Sequence, residues 1–264
     1  MINMIHGDGM VQPNIMQDRL QELFPVHYRN GNILMINADC MEVMKHIKEK
    51  ESELSCVDPP YGIGVSNHEQ IGTSKKHKVK DWDNHIPTKE YFNELKRISK
   101  NQIIFGINYF DGFGLMGGRI VWNKLGKDIG RRKVCPTFSE CEIAYYSGSN
   151  NVKMFSYTYI GNVQGNDYQI LWGDTNRIHP TQKPVALYKW LLSNYAKPGD
   201  RILDTHGGSG SICIACHDLG YDLTWMELDA DYYKAAVERY QNHAAQATLF
   251  EPAELTKETQ GGLF

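Results

Sequence analysis

The chain has 264 residues, 41% of them hydrophobic and 22% charged, proportions of an ordinary folded domain that exclude disorder of the whole. Its length suits one sizeable α/β domain with an insertion better than two full domains. With a formal net charge of -3 and a pI near 6.4, no general basic field is available to hold nucleic acid, so any such contact has to come from local patches.

In chain order, residues 1–30 read as an N-terminal extension. Its opening, MINMIHGDGMVQPN, has neither the charged start nor the apolar run of a signal peptide, and no apolar segment elsewhere nears the ~18 residues of a membrane span. A cytoplasmic protein without membrane attachment is expected. Asn32 to Asn37 (NILMIN) is an apolar strand leading to Asp39, and CMEVMKHIKEK continues at helical spacing. LSCVDPPY is a short strand that must end at Pro59 and Pro60, which cannot donate to a central ladder. TKEYFNELKRIS reads as a helix capped by Thr88, followed by the strands QIIFGI (Gln102 to Ile107), RIVWNK (Arg119 to Lys124) and CEIAYY (Cys141 to Tyr146). Ser147 to Arg177, rich in Gly, Asn and Tyr, keeps no period and reads as an irregular insertion. Order resumes with a helix over PVALYKWLLSNYA, the strand DRILD, the turn THGGSGS, a helix over ICIACHDLG, the strand DLTWMELD and a helix over ADYYKAAVERYQNHA; residues 244–264 read as a flexible tail. Alternating strands and helices predict a doubly wound, mostly parallel sheet with ligands at the carboxyl ends of its strands. Six scattered cysteines read as reduced thiols. Cys213 and Cys216 form a CxxC but lack a second pair at zinc spacing, so they read as small residues packed on a sheet, and no metal is expected.

Two motifs carry chemistry. Asp58-Pro59-Pro60-Tyr61 would arise by chance in about one chain of this length per thousand, although a double proline makes a rigid strand-ending turn in any setting. An exocyclic amino group is a poor nucleophile because its lone pair is delocalised into the ring. Two acceptors aimed at its N–H bonds, the Asp58 carboxylate and the Pro59 carbonyl, would hold it in the pyramidal attacking geometry, while Tyr61 offers a flat face for an extruded base. The second motif, Asp204-Thr205-His206-Gly207-Gly208-Ser209-Gly210, lies between a strand and a helix, where glycines let the backbone approach a ligand. It lacks the lysine of a P-loop and the glycine spacing of a dinucleotide turn. Glu227, at the end of the next strand, stands where an acidic side chain holds ribose hydroxyls, and the pair points to a nucleoside cofactor.

With DPPY at 58, HPTQKP at 179, DTHGGSGS at 204 and MELD at 226, the chain resembles the β class of DNA amino-methyltransferases, in which the DPPY motif precedes the cofactor turn. The resemblance covers Gly31 to Lys124 and Arg177 to Tyr240. It implies the Rossmann-like methyltransferase fold, with residues 31–124 as the catalytic half, 125–178 as a strand plus target-recognition insertion, and 179–243 as the cofactor-binding half. It also implies a site-specific enzyme of the restriction-modification type that moves a methyl group from S-adenosyl-L-methionine to N6 of a flipped adenine, by direct in-line displacement. Asp58, Pro59, Pro60 and Tyr61 would hold the base. Asp39 and the adjacent Cys40 would meet the cofactor's adenine, Gln182 and Lys183 its methionine part, and Glu227 its ribose. Asp204, His206, Gly207, Gly208, Ser209 and Gly210 would wrap it. Thr205-His206 departs from the family's usual Pro-Phe, with the His206 ring available in place of the phenyl. Asp before the two prolines resembles the adenine-modifying members; N4-cytosine methylation, a catalytically silent DNA-binding relative and an RNA methylase stay open.

Double-stranded DNA is the expected partner. Lys75, Lys76, Lys78 and Lys80, and a second run of Lys127, Arg131, Arg132 and Lys133, would flank the base pocket and meet phosphates, although most charge runs are simply solvated. Gln246 to Phe250 and Gln260 to Phe264 both read Q-x-x-L-F, resembling the peptide by which bacterial DNA enzymes hold a sliding clamp. The reading favoured for Leu249-Phe250 is packing of the last helix. A homodimer is among the states that the sequence allows.

Overall fold

The computed structural model describes residues 14–64, 82–110, 112–126, 139–160, 163–166, 169–172 and 177–249. Nine strands form one sheet in the order β1-β2-β12-β11-β3-β4-β6-β5-β7. At its centre β2 (Ile33–Asn37), β12 (Asp222–Glu227), β11 (Arg201–Asp204), β3 (Ser52–Val57) and β4 (Ser99–Phe105) run parallel. Their near-continuous apolar runs follow from burial on both faces. On β2, Leu34 and Ile36 join one core while Ile33 and Met35 join the other, as the two-residue period of a strand requires.

Helices cover both faces. α1 (Ile15–Leu23), α2 (Cys40–Met44) and α3 (Lys89–Ile98) bury Leu20, Met44, Phe92 and Leu95 on one side. On the other, α4 (Val185–Tyr195), α5 (Ser211–Leu219) and α6 (Ala230–Leu249) bury Leu187, Leu191, Ile212 and Tyr240. The chain leaves β3 through α3 toward β4, and leaves β11 through α5 toward the opposite neighbour, β12. The crevice between the ends of β3 and β11 is therefore a topological switch point, where ligands bind in open α/β sheets. Beyond β4 the sheet turns antiparallel: β6 (Cys141–Tyr146) lies between β4 and β5 (Gly118–Asn123), and β7 (Val152–Ser156) runs parallel to β5 at the edge.

Three sequence expectations need correction. The segment expected as an extension contributes α1 and the edge strand β1 (His27–Asn30), paired antiparallel with β2. Gln17 explains the docking of α1: fully buried, it donates from Nε2 to the carbonyls of Asn32 (3.0 Å) and Leu223 (2.9 Å). The insertion expected to be irregular holds β7 and a separate antiparallel sheet of β8 (Thr158–Ile160), β9 (Val163–Asn166) and β10 (Gln169–Trp172). Its strands are short, and Val152 and Met154 on β7 are exposed, so no inward apolar period marks them. Finally, α2 stops at Met44, well before the expected end, and α6 continues to Leu249, past the boundary expected at 243. The first four residues of the first Q-x-x-L-F copy thus lie on helix; Phe250 and the second copy lie outside the described residues.

Cys213 and Cys216 are fully buried free thiols on α5. Among the described residues there is no group of three potential metal ligands, and no helix is long and apolar enough to cross a membrane. Gln17→Ala removes two hydrogen bonds under α1, although the Asn32 carbonyl keeps the Leu223 N–H, and is expected to cost about 1–3 kcal/mol of unfolding free energy in urea titration; an unchanged midpoint contradicts the docking of α1.

Candidate active site at the carboxyl edge of the sheet

One cavity of about 1280 Å³ opens at the carboxyl ends of the central strands. Asp39, Cys40, Asp58, Pro59, Pro60, Tyr61, Gln182, Lys183, His206, Gly207, Gly208, Ser209 and Glu227 all line it. Asp204 is buried at the end of β11, and Gly210 forms the N-cap of α5. The eight basic residues expected to meet DNA lie outside the described residues; Ile63, Trp82 and Ser139, at or near the borders of their segments, line the cavity.

In one half of the cavity β3 ends in Asp58-Pro59-Pro60-Tyr61. The Tyr61 hydroxyl donates to Asp58 Oδ1 at 2.5 Å, and the backbone N–H groups of Tyr61 and Gly62 donate to Asp83 Oδ1 at 2.7 and 3.0 Å. Asp83 thereby fixes the turn that follows the prolines. The Tyr61 ring stacks on Tyr109, 5.0 Å between centroids and 15° from parallel. Gly106, at φ +75°, makes room for it, since a Cβ there would lie 2.2 Å from Tyr61 Cε1. Only glycine combines that backbone with that contact.

Lys183 is the unexpected member of this half. Its ammonium pairs with Asp58 Oδ2, lies 3.3 Å from Glu142 Oε2 and sits 4.7 Å from the centre of the Phe105 ring. Glu142 Oε1 in turn meets Lys124 Nζ at 3.3 Å. Glu142 comes from β6: because that strand is antiparallel to β4, its beginning lies at the edge where the parallel strands end. Burial pushes the Asp58 carboxyl above the ordinary carboxylate range against the pull of Lys183, whereas for Glu142 burial pushes the same way but Lys183 and Lys124 together outweigh it and hold the group below that range. Lys183 stays charged despite burial because the two carboxylates favour its ammonium form.

The other half is built by the glycine turn. Gly207 N–H donates to the Met226 carbonyl at 2.8 Å, and a Cβ on Gly207 would fall 1.8 Å from Trp225 Cε2, so the turn lies flat on β12. Glu227 receives Gly208 N–H on Oε2 and Asp229 N–H on Oε1, both at 2.8 Å. Asp39 accepts Met41 N–H at 2.8 Å as the cap of α2. Burial lifts Asp204 to about 8, with the His206 N–H (3.1 Å) opposing and the Asp58 and Glu227 charges adding to the lift. Burial lowers His206 to about 4. Its Nδ1 meets Thr205 Oγ1 at 2.9 Å, and that hydroxyl meets Tyr91 OH at 2.7 Å. His206 thus presents an uncharged, edge-anchored ring where the sequence reading looked for a phenyl. Sequence reasoning missed Glu142, Lys124, Asp83 and Tyr91; a charged residue near the start of the apolar strand CEIAYY was the one available signal.

The family described as DNA methylase matches residues 142–238. A DNA adenine methyltransferase of Escherichia coli (strain K12), YhdJ, is 23% identical over 286 aligned positions, covering 90% of this chain and 92% of its own. The type II methyltransferase M.HpaI of Haemophilus parainfluenzae is 22% identical over 230, covering 78% and 73%. Among solved structures, the cytosine-N4-specific PvuII DNA methyltransferase shares the fold at a TM-score of 0.53 and 13% identity, over 86% of this chain and 97% of that one.

Gly106→Ala forces the Tyr61 ring from its stack and is expected to destabilise the protein by about 1–3 kcal/mol. Tyr61→Ala should absorb much of that cost in a double-mutant cycle, and additive effects contradict the contact.

Proposed function

We propose that the chain is an N6/N4 DNA methyltransferase, as its match to the DNA methylase family over residues 142–238 supports, and that it transfers a methyl group from S-adenosylmethionine to the N6 amino group of an adenine drawn out of duplex DNA. The observation that carries this reading is that the Asp58 carboxylate and the glycine turn with Glu227 face a single cavity, so that an acceptor for an amine and a cradle for a nucleoside share one space.

When bound, S-adenosylmethionine supplies an electrophilic methyl group on a positively charged sulfur. The residues present fit such a group. Gly207 and Gly208 keep the turn free of side chains, Glu227 offers a carboxylate already fixed by two backbone N–H groups, and the acidic lining favours a cation. His206, kept neutral by burial, adds a flat ring without opposing that charge. Asp39 and Cys40 close the far side, where the Cys40 thiol, pushed by burial to about 12, stays protonated and inert toward an alkylating group.

For the target base, the Asp58 carboxylate and the Pro59 carbonyl accept the two amino N–H bonds, holding the nitrogen lone pair toward the methyl group. Tyr61 and Tyr109, stacked on one another at the cavity wall, supply aromatic surface for the base. An Asp58 oxygen would also be placed to take up the proton that the amine loses on methylation. Asp rather than Ser before the two prolines, together with the likeness to an adenine methyltransferase of Escherichia coli, supports N6 of adenine as the acceptor. The two basic runs, Lys75 to Lys80 and Lys127 to Lys133, are assigned to the DNA phosphates.

Asp58→Ala tests the reading. Transfer of labelled methyl to duplex DNA is expected to fall by about 10²-fold or more. Cofactor affinity, measured by calorimetry, should stay within about threefold. Wild-type transfer rates in that variant contradict the base site. A second outcome concerns His206: with a pKa near 4, it stays uncharged down to about pH 5.5, so cofactor affinity should not fall through its titration between about pH 7.5 and 5.5. A loss over that range that His206→Phe abolishes would show the ring charging beside the sulfonium.

A further inference from the structure

Lys183 belongs to the HPTQKP stretch that the resemblance assigns to the cofactor, yet its ammonium is engaged in the base half of the cavity. Its side chain is 3% exposed, and its Nζ meets Asp58 Oδ2, Glu142 Oε2 (3.3 Å) and the Tyr61 hydroxyl (3.5 Å) above the Phe105 ring. The backbone is fixed as well: the Lys183 carbonyl accepts the Ser211 hydroxyl at 2.7 Å, and that hydroxyl is held by Arg239 Nη1 at 2.9 Å. A lysine anchored at both ends between two partly buried carboxylates has little freedom to serve another ligand.

We propose that Lys183 is a positioning residue of the base site, its ammonium clamped between Asp58 and Glu142 so that Asp58 stands ionised with both oxygens fixed as acceptors. The inference rests on the reading of Asp58 as the acceptor of the target amine. Two neighbouring, partly buried carboxylates without a cation disfavour ionisation of both, because the second charge is costly. A protonated Asp58 would donate from one oxygen and lose half of its capacity to accept N–H bonds. Glu142 is the counterweight: paired with Lys124 on its other oxygen, it draws the ammonium toward β6 and leaves one net negative charge on the trio of Asp58, Lys183 and Glu142.

Every element around Asp58 contributes to its titration. Tyr61 donates to it from the loop after β3, and Lys183 faces it from the segment before α4. Glu142 faces it from β6, with Lys124 behind. The Asp204 carboxyl of β11, the hydroxyls of Tyr91 (α3) and Tyr188 (α4) and the Cys56 thiol of β3 complete the surroundings. Among these only Lys183 is a cation in direct contact with Asp58, so its removal should dominate any change in the acid limb of activity.

The test is single-turnover methyl transfer to duplex DNA between about pH 5 and 9 for the wild type, Lys183→Met, Lys183→Arg and Glu142→Gln, with cofactor affinity measured alongside. In Lys183→Met the acid limb, on which rate falls as Asp58 takes up a proton, is expected to move up by about one pH unit or more, a tenfold loss of ionised Asp58 at a given pH. Lys183→Arg should bring it back toward the wild type, and Glu142→Gln, which removes a repelling charge, should move it down. Cofactor affinity should stay within about threefold throughout. An acid limb unmoved in Lys183→Met overturns the proposal, as does a weakening of the cofactor by about tenfold with the limb unmoved. Should Lys183→Met fail to fold, Glu142→Gln decides alone: a limb that stays or rises overturns the proposal. Failure of the underlying reading is distinct, since it shows as wild-type transfer by Asp58→Ala.

Discussion

The site depends on holding five strand-end carboxylates together at one edge of the sheet, where Asp204 is fully buried and Asp58 and Glu142 are partly so. Asp39, Asp58, Glu142, Asp204 and Glu227 converge there because four parallel strands finish at one edge and one antiparallel strand begins at it. Unpaired charges at that density would repel one another and resist burial. Each is answered differently. Asp39 and Glu227 take backbone N–H groups, Asp58 and Glu142 share Lys183, and Asp204 with a pKa near 8 is mostly protonated at neutral pH. The result is a site with residual negative potential and fixed acceptors, suited to a cationic methyl donor and to an amine that must be held by its hydrogens.

The two halves of the cavity are mechanically continuous. Ser211, at the start of α5 and two residues past the turn residue Ser209, holds the carbonyl of Lys183, and Lys183 holds Asp58. Arg239 of α6 ties the same hydroxyl to the Ser209 carbonyl at 2.8 Å. Displacement of the glycine turn therefore reaches the amine acceptor through two consecutive polar contacts, Ser211 to the Lys183 carbonyl and the Lys183 ammonium to Asp58. Such a chain lets the geometry of one ligand's site be set by the walls of the other.

The central sheet was legible in the sequence because its signals are local. The apolar run of β2, the double proline closing β3 and the glycines after β11 each force a conformation on their own neighbourhood. The same held for the helix and sheet environment of Cys213 and Cys216. What was not legible depended on pairing between distant segments. Glu142 is one charged residue in an otherwise apolar and aromatic strand, and only the antiparallel register of β6 against β4 carries it to the site. Gln17 lies in a segment without strong periodicity, and its value comes from two carbonyls that its own sequence cannot reveal. The strands β7 to β10 hide because they are short, and β7, at the edge of the main sheet, leaves Val152 and Met154 exposed. Lys183 was expected beside the cofactor's methionine part and lines the same cavity with its ammonium against Asp58, since motif order reveals neighbourhood and not which way a long side chain turns.

The departure at Thr205-His206 is consistent with this electrostatic account. Tyr91, Thr205 and His206 form a polar chain behind the glycine turn, so the histidine's ring nitrogen has a partner and its ring can serve as an uncharged wall. A charged imidazole in that position would oppose a sulfonium; a buried neutral one does not.

The measurement that bears most directly on the central claim is incubation of the protein with labelled S-adenosylmethionine and unmethylated duplex DNA from several sources, followed by digestion and separation of the nucleosides. Label in N6-methyladenosine is the result this account predicts. Label in N4-methylcytosine would contradict the choice of base, and DNA that stays unlabelled while the protein binds the cofactor would contradict the activity itself.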